Sequence, residues 1–246
     1  MPSVSLSVQR SASEKDGAPR FEEHEVEVAE KASVLDALFA LQRGPCPDLA
    51  FRYSCRVGMC GSCAMVVNGR EQLICSVLIE SVGRRLRIQP LRNLPVVRDL
   101  AVDMTPFFAA YKRVLPQFVP RDDLDANHFF LMPHDSQAWQ NLNHQPQCID
   151  CAACFSACSL VTLHPRYVGP MALHRALSLL VDPRDKAKAA RLAVVAGENG
   201  AFGCHTLGNC RDACPRGISP THSISRLKRL ALAGWFGNFL GRFFKA

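Results

Sequence analysis

Residues 51–75 read FRYSCRVGMCGSCAMVVNGREQLIC, and this stretch decides the character of the first half of the chain. Four of the twelve cysteines lie here with a C-x4-C-x2-C spacing and one later member, namely Cys55, Cys60, Cys63 and Cys75. Thiolates bind iron well because sulfur is a soft ligand, and this spacing is typical of a plant-type [2Fe–2S] site. Gly58 and Gly61 flank Cys60, and without a Cβ they let amide N–H groups point at the sulfurs.

The residues around this stretch predict a small mixed α/β unit. Alternating apolar and polar residues predict strands over 3–9 and 23–28, and a last strand is predicted over 85–90. Ser33 is a candidate N-cap of a short helix, and Asn68-Gly69 suits the turn of a hairpin. This order of elements is compatible with a β-grasp ferredoxin domain, which we expect over residues 1–105.

Two further cysteine runs lie in the second half of the chain. The first reads CIDCAACFSAC, with cysteines at 148, 151, 154 and 158, and the second reads CHTLGNCRDAC, with cysteines at 204, 210 and 214. This is the spacing of bacterial ferredoxins with two clusters, in which the fourth cysteine of each run ligates the other cluster. In the second run, Leu207 stands where a cysteine is expected.

That rule predicts how the two runs share their ligands. A complete [4Fe–4S] site takes Cys148, Cys151, Cys154 and Cys214. The other site takes Cys158, Cys204 and Cys210, and Leu207 offers no ligand atom at the remaining corner. Three thiolates hold three irons, so we expect a [3Fe–4S] cluster, and a [4Fe–4S] cluster with water at one corner is the alternative.

Helical periodicity replaces strand alternation after about residue 105, over 104–115, 171–181 and 183–196. The polar segment 120–145 is a candidate connector. We therefore predict an α+β chain, with an all-helical domain over residues 106–246 that resembles bacterial ferredoxins and ends in an amphipathic tail.

Zinc and disulfides are the competing interpretations of the cysteines. Zinc fits isolated C-x2-C pairs but does not explain four cysteines at 148–158, since one ion needs only two or three from such a run. The N-terminus has no apolar stretch of a secretory signal, so we expect a cytoplasmic chain with reduced thiols and bound metal. Cys46 lies between Pro45 and Pro47, outside every run, and we expect it to be a small structural residue.

The net charge of +7 lies entirely beyond residue 105, and residues 211–246 hold seven basic side chains against one acidic one. A basic end suits nucleic acid, anionic lipid or an acidic partner, although a solvated surface is the ordinary explanation. Apolar residues recur there at helical spacing, namely Leu232, Trp235, Phe236, Phe239, Leu240 and Phe243. This pattern predicts a helix at a membrane surface or on an anchor subunit, and packing on its own domain is the alternative.

The motifs together resemble one family. FRYSCRVGMCGSCAMVVNG, CIDCAACFSAC and CHTLGNCRDACPRGISP resemble the iron–sulfur subunit of succinate dehydrogenase and quinol:fumarate reductase, and the similarity extends through VVRDLAVDM, VGPMALHRA and DPRD. The resemblance implies an electron-transfer subunit of a membrane-bound enzyme, which relays single electrons between a flavoprotein subunit carrying FAD and a quinone at membrane-anchor subunits. It implies no catalytic residue and no nucleic acid, and a peripheral position on the cytoplasmic side of the inner (plasma) membrane.

The resemblance also assigns two residues to the vicinity of the quinone, His205 and Lys228; a histidine packed on a cluster and a surface lysine are the ordinary alternatives.

Ser159 departs from the family, which usually has proline after the last cysteine of the first run. The sequence leaves open the direction of electron flow. Alternatives for the whole chain are the same relay serving another flavoprotein, a free-standing ferredoxin, and a structural zinc module.

Overall fold

The computed structural model describes residues 2–10, 18–125, 130–143 and 147–243, and from residue 235 onward it describes the backbone alone. The chain forms two compact units. The first comprises Met1–Phe107 with two short later segments, Ile149–Ala157 and Ala213–Arg216. The second comprises Phe108–Cys148, Cys158–Asp212 and Gly217–Ala246.

The first unit is built on a five-stranded sheet with the order β2-β1-β5-β3-β4. Its strands are β1 (Ser3–Arg10), β2 (Arg20–Glu27), β3 (Ala64–Val67), β4 (Arg70–Leu73) and β5 (Arg85–Gln89). Strands β1 and β5 are parallel, whereas the other pairs are antiparallel, which is the mixed pairing of a β-grasp sheet. The alternation read from the sequence has its expected cause, because Val4, Leu6 and Val8 of β1 are buried.

Helix α1 (Val34–Arg43) covers one face of this sheet. Ser33 caps it in a capping box with Asp36, and Leu35 and Leu38 are buried beneath it. The predicted Asn68-Gly69 turn joins β3 to β4, and both residues have positive φ, 49° and 82°. Smaller elements complete the unit: helix α2 (Ile79–Val82), strands β6 (Val96–Arg98) and β7 (Ala101–Val102), and helix α5 (Ala153–Ser156).

Helices dominate the rest of the chain. They are α3 (Thr105–Lys112), α4 (Gln137–Leu142), α6 (Ser159–Leu163), α7 (Pro170–Val181), α8 (Lys188–Ala196), a 3-10 turn (Ala201–Gly203), α9 (Asn209–Asp212) and α10 (Pro220–Phe243). The core of the second unit lies between α7, α8 and α10, where Leu173, Leu177 and Leu227 are fully buried.

The helix predicted over 183–196 begins later than expected, at Lys188. The preceding residues form a loop around a buried ion pair, since the Arg191 guanidinium lies 2.7 Å from the Asp185 carboxylate and neither side chain is exposed. Arg191 also donates to the backbone carbonyls of Leu115 and Gln117, at 3.0 and 2.9 Å. A helix through Asp185 would remove this carboxylate from its buried partner, which explains the shorter helix.

Helix α10 continues to Phe243, through the region of the predicted apolar tail. Leu232 is 46% exposed, as a residue facing a partner or lipid would be. The other side chains of the predicted stripe, Trp235, Phe236, Phe239, Leu240 and Phe243, lie outside the described residues. Within the described part of the chain, no helix combines the length and the apolar character needed to span a bilayer.

Candidate metal centres

The loop from Cys55 to Cys63 directs backbone amides at its own sulfurs. The N–H groups of Met59 and Cys60 donate to Cys55 Sγ at 3.4 and 3.3 Å, and that of Gly58 donates to Cys75 Sγ at 3.2 Å. Such donors stabilise negative charge on thiolates. The donor set therefore fits the [2Fe–2S] group that the spacing predicts.

The cysteines of this loop differ in environment. Hydrogen bonds, first from the Ser62 side chain, lower the pKa of the exposed Cys60 to about 6, whereas burial raises the pKa of Cys63 to about 12. Around the loop, Val57 and Met59 are 67% and 69% exposed. Met59 therefore does not screen the site from water within this chain, whereas Leu73 is buried.

Gly61 brings this loop against the first cysteine run. With φ at +74°, a Cβ added at Gly61 would lie 2.7 Å from Cys151 Cβ and 2.9 Å from the Ile149 carbonyl oxygen. Two backbones can approach so closely only where a side chain is missing. The sequence pointed to Gly61 as an aid to amide orientation, but close approach is the stronger requirement.

Helix α5 carries Cys154 and is held to the first unit by polar contacts. Ser156 Oγ donates to Glu71 Oε1 at 2.9 Å and accepts the Arg92 amide at 2.8 Å. The Asn93 side chain donates to the carbonyls of Phe155 and Ser156, at 3.0 and 3.1 Å.

Cys151 and Cys214 are brought together within the first unit. Burial, and to a smaller extent the charge of Cys214, raise the pKa of the Cys151 thiol to about 11. Cys148, the remaining member of the predicted four-iron set, belongs to the second unit.

A pocket in the second unit collects the remaining three thiols. Cys158, Cys204 and Cys210 line it together with Leu207, which is 61% exposed. The Thr206 amide donates to Cys204 Sγ at 3.3 Å, and Thr221 Oγ1 lies 3.3 Å from Cys210 Sγ. Three sulfurs with polar partners and one apolar corner fit a cluster that has three protein ligands.

The structure explains why serine can stand after Cys158, where the family usually has proline. Helix α6 begins at Ser159, so this residue occupies the first helical position, where proline is favoured because no intrahelical N–H bond is lost there. Serine enters a helix at the same position without a change of direction. Proline and serine are therefore both compatible with the first position of α6.

Of the two residues predicted near quinone, His205 lines this pocket, and Lys228 contacts the backbone of Cys204, which lines it. His205 also lines a second, more polar cavity with Leu163, His164 and Arg166. Lys228 Nζ reaches from α10 to donate to the Cys204 carbonyl at 2.7 Å, so it is not an ordinary surface lysine.

Sequence reasoning missed Tyr167, which is buried against the same pocket. Its ring packs over Gly203, beside Cys204, and its pKa is raised by burial and by the neighbouring thiols. No spacing in the sequence links Tyr167 to the cysteine runs, because only the packing of the segment before α7 brings it there.

The mixed sheet with its cysteine loop, and the helices with shared cysteine runs, define an iron–sulfur electron carrier. Residues 5–109 match the family described as 2Fe-2S iron-sulfur cluster binding domain, and residues 145–218 match the 4Fe-4S dicluster domain.

Known proteins are similar to this chain along nearly its whole length. The fumarate reductase iron-sulfur subunit of Mycobacterium tuberculosis is 35% identical over 234 residues, which cover 94% of each chain. The mitochondrial succinate dehydrogenase [ubiquinone] iron-sulfur subunit 1 of Oryza sativa is 36% identical over 87% of this chain and 76% of its own length. A chain of the Mycobacterium smegmatis Sdh1 complex in the apo form superposes with a TM-score of 0.86 at 27% identity, covering 95% of this chain and 97% of its own.

The chain belongs to the family of iron–sulfur subunits of fumarate reductase and succinate dehydrogenase. This finding confirms the family that the motifs indicated, and the structural match confirms the predicted α+β fold with its ferredoxin-like parts.

Proposed function

We propose that this chain is the electron-transfer subunit of a membrane-bound succinate:quinone oxidoreductase or quinol:fumarate reductase. Oxidation of succinate to fumarate on the flavoprotein releases two electrons and two protons, and reduction of quinone to quinol consumes the same number. The single observation that carries the proposal is the arrangement of eleven cysteines, four in and after the first loop, four in the first run and three in the second run, with Cys158, Cys204 and Cys210 meeting in one pocket.

We assign the ligands as the sequence predicts. The [2Fe–2S] group is held by Cys55, Cys60, Cys63 and Cys75, and the [4Fe–4S] group by Cys148, Cys151, Cys154 and Cys214. The [3Fe–4S] group is held by Cys158, Cys204 and Cys210. When bound, such clusters accept and give electrons one at a time, with potentials set by cluster type, hydrogen bonds and burial.

The chain's own residues bring the first cysteine loop against the first cysteine run and direct amides at its sulfurs. Gly61 allows the first cysteine loop to touch the backbone of the first run, which shortens the path between two of the proposed centres. The backbone amides that donate to Cys55 Sγ and Cys75 Sγ stabilise the more negative, reduced state of the proposed [2Fe–2S] centre.

The surface around the [2Fe–2S] loop suits a protein partner. Val57 and Met59 project into solvent beside Tyr53, whose ring packs edge-on against Phe39 at 4.8 Å. An apolar rim around a cluster loop is the kind of surface that a flavoprotein subunit, with its FAD, would cover.

At the other end we propose that His205 and Lys228 lie near the quinone, at the interface with the anchor subunits. His205 lines the three-thiol pocket, and Lys228 adds a positive charge beside Cys204. We place this end on the membrane surface, on its cytoplasmic side, with the exposed Leu232 of α10 and the basic residues around it facing lipid or anchor.

We further propose a functional division at about residue 105, with the [2Fe–2S] ferredoxin domain over 1–105 and the helical two-cluster domain with its tail over 106–246. The short segments that carry Cys151, Cys154 and Cys214 belong by compactness to the first unit.

Affinity purification of this chain from its native host tests the proposal. We expect a brown complex that contains a flavoprotein and hydrophobic anchor subunits, and that reduces a soluble quinone analogue with succinate or oxidises a quinol with fumarate. A flavoprotein partner with neither activity, or recovery of the chain alone with a full set of clusters, would overturn it.

A further inference from the structure

Three potential ligand side chains outside the cysteine runs meet in the first unit. Glu22, His24 and Cys46 each place one ligand atom within 4.8 Å of the others. Cys46 Sγ lies 3.2 Å from His24 Nε2, and the same nitrogen lies 3.6 Å from Glu22 Oε2. Cys46, which the sequence suggested was merely structural, is thus part of a mixed sulfur, nitrogen and oxygen donor set.

The backbone fixes where these donors stand. Glu22 and His24 are two residues apart on β2, so their side chains share one face of the strand. Cys46 follows α1 between two prolines; its amide donates to the Leu41 carbonyl at 2.9 Å, and its carbonyl accepts the Leu49 amide at 3.1 Å. The backbone of Cys46 is therefore held by local hydrogen bonds that do not involve the histidine.

The spacing of the donors is close to that of a zinc site. Zinc lies about 2.3 Å from a thiolate sulfur and about 2.0–2.2 Å from imidazole nitrogen or carboxylate oxygen. Tetrahedral angles then require roughly 3.6 Å between sulfur and nitrogen and roughly 3.4 Å between nitrogen and oxygen. The distances in the chain, 3.2 and 3.6 Å, differ from these values by a few tenths of an ångström.

Neighbouring charged side chains orient the Glu22 carboxylate and still leave it able to bind a cation. Arg10 Nη1 donates to Glu22 Oε2 at 3.1 Å, and the same guanidinium also contacts Asp48 and Asp99. A carboxylate oxygen has a second lone pair, so Oε2 can accept from Arg10 and still face a cation. Such outer contacts orient metal-binding carboxylates. The side chains of Glu22 and His24 remain partly exposed, at 29% and 19%, which leaves an entry path and room for water.

We propose that Glu22, His24 and Cys46 bind one zinc ion, with water in the fourth position. The site is independent of the proposed electron relay, since none of its residues belongs to a cysteine run. The borderline-soft donor set favours Zn²⁺ over Mg²⁺ or Ca²⁺, which prefer oxygen alone.

The test uses the purified complex with its clusters intact, equilibrated with Zn²⁺ alone under anaerobic conditions and then freed of unbound metal. We expect one zinc per copy of this chain without loss of iron. X-ray absorption at the zinc edge, which iron does not obscure, should show one sulfur with nitrogen or oxygen neighbours. Three or four sulfurs per zinc would place the metal on cluster cysteines and overturn the proposal, as would the absence of bound zinc.

Two variants identify the ligands separately. Cys46→Ser should remove the sulfur neighbour, and His24→Gln should weaken zinc binding by on the order of 100-fold while leaving Cys46 in place. His134→Gln changes an exposed histidine in the other unit; it is the matched control and should leave zinc binding unchanged. Zinc bound with unchanged affinity in His24→Gln would overturn the proposal even if Cys46→Ser failed to assemble. The electron-transfer activity of the complex, measured in parallel, distinguishes failure of this site from failure of the proposed relay.

Discussion

The cysteine loop of the first unit and the three-thiol pocket of the second hold sulfur in different ways. In the loop, glycines and backbone amides supply the environment, and the apolar residues nearest the thiols project outward. In the pocket, side chains from distant segments, among them Tyr167 and Thr221, lie beside the thiols, and Lys228 donates to the Cys204 carbonyl. The loop is thus specified locally and suited to a partner's surface, whereas the pocket depends on the packing of the helices.

The largest effect should come from Gly61→Ala, which changes the cysteine loop at its contact with the first cysteine run. The added Cβ meets Cys151 at 2.7 Å in a backbone with positive φ, so we expect a loss of about 2–5 kcal/mol in unfolding free energy, with depleted iron. Thermal unfolding and iron content of the complex measure it.

Gly69→Ala is the matched control for this change. Gly69 also has positive φ, +82°, but nothing lies within 4 Å of its added Cβ. It should therefore show only the backbone cost of about 1–2 kcal/mol and retain its iron. Equal losses in the two variants would contradict the close approach of the loops.

A smaller effect is expected from Ser156→Ala, which loosens α5 without touching a thiol. The change leaves Glu71 and the Arg92 amide without their buried partner and should lower the unfolding free energy by about 1–3 kcal/mol. Iron should leave the four-iron centre faster on exposure to a chelator, with the three-iron signal retained.

Ser81→Ala is the control for this change, because it removes an exposed hydroxyl that donates to the Leu78 carbonyl. Its unfolding free energy should stay within about 0.5 kcal/mol of that of the parent. If the three-iron signal decayed first in Ser156→Ala, the assignment of α5 to the four-iron centre would be wrong.

The smallest effect tests the side chains of the pocket. Lys228→Met removes a positive charge and a hydrogen bond at Cys204, so adding an electron to the nearby centre becomes less favourable. We expect the midpoint potential of this centre to fall by about 30–60 mV. A shift of about 60 mV corresponds to a tenfold change in a one-electron equilibrium. A redox titration of the complex followed by EPR measures the shift.

Arg229→Met removes the same charge from an exposed neighbour on α10 and serves as the control. Solvent screens that charge, so its shift should be much smaller. Shifts of equal size would mean that Lys228 acts only through the overall charge of the helix.

The same difference between the two regions explains what the sequence could predict. Elements with local causes were predictable: the alternation of β1, the Ser33 cap of α1 and the Asn68-Gly69 turn each appear as expected. The fold class followed from the cysteine spacing and the order of elements, and the comparisons confirm it.

What the sequence could not predict depends on tertiary packing. The late start of α8 follows from the buried pair of Arg191 and Asp185, whose stability depends on carbonyls some seventy residues earlier in the chain. Tyr167 reaches the pocket, and Cys46 meets His24, only because separate segments fold together. Neither contact leaves a periodic pattern in the sequence.

Leu207→Cys in the purified complex tests the central claim most directly, because Leu207 lines the pocket with Cys158, Cys204 and Cys210. We expect the EPR signal of the oxidised three-iron centre to fall while iron content rises, as the new thiolate recruits a fourth iron in part of the molecules. Leu207→Ser, which offers a far poorer ligand to iron, should keep more of the three-iron signal. An undiminished signal in Leu207→Cys, with iron content equal to that of the parent, would contradict the assignment of this pocket to a cluster that lacks its fourth ligand.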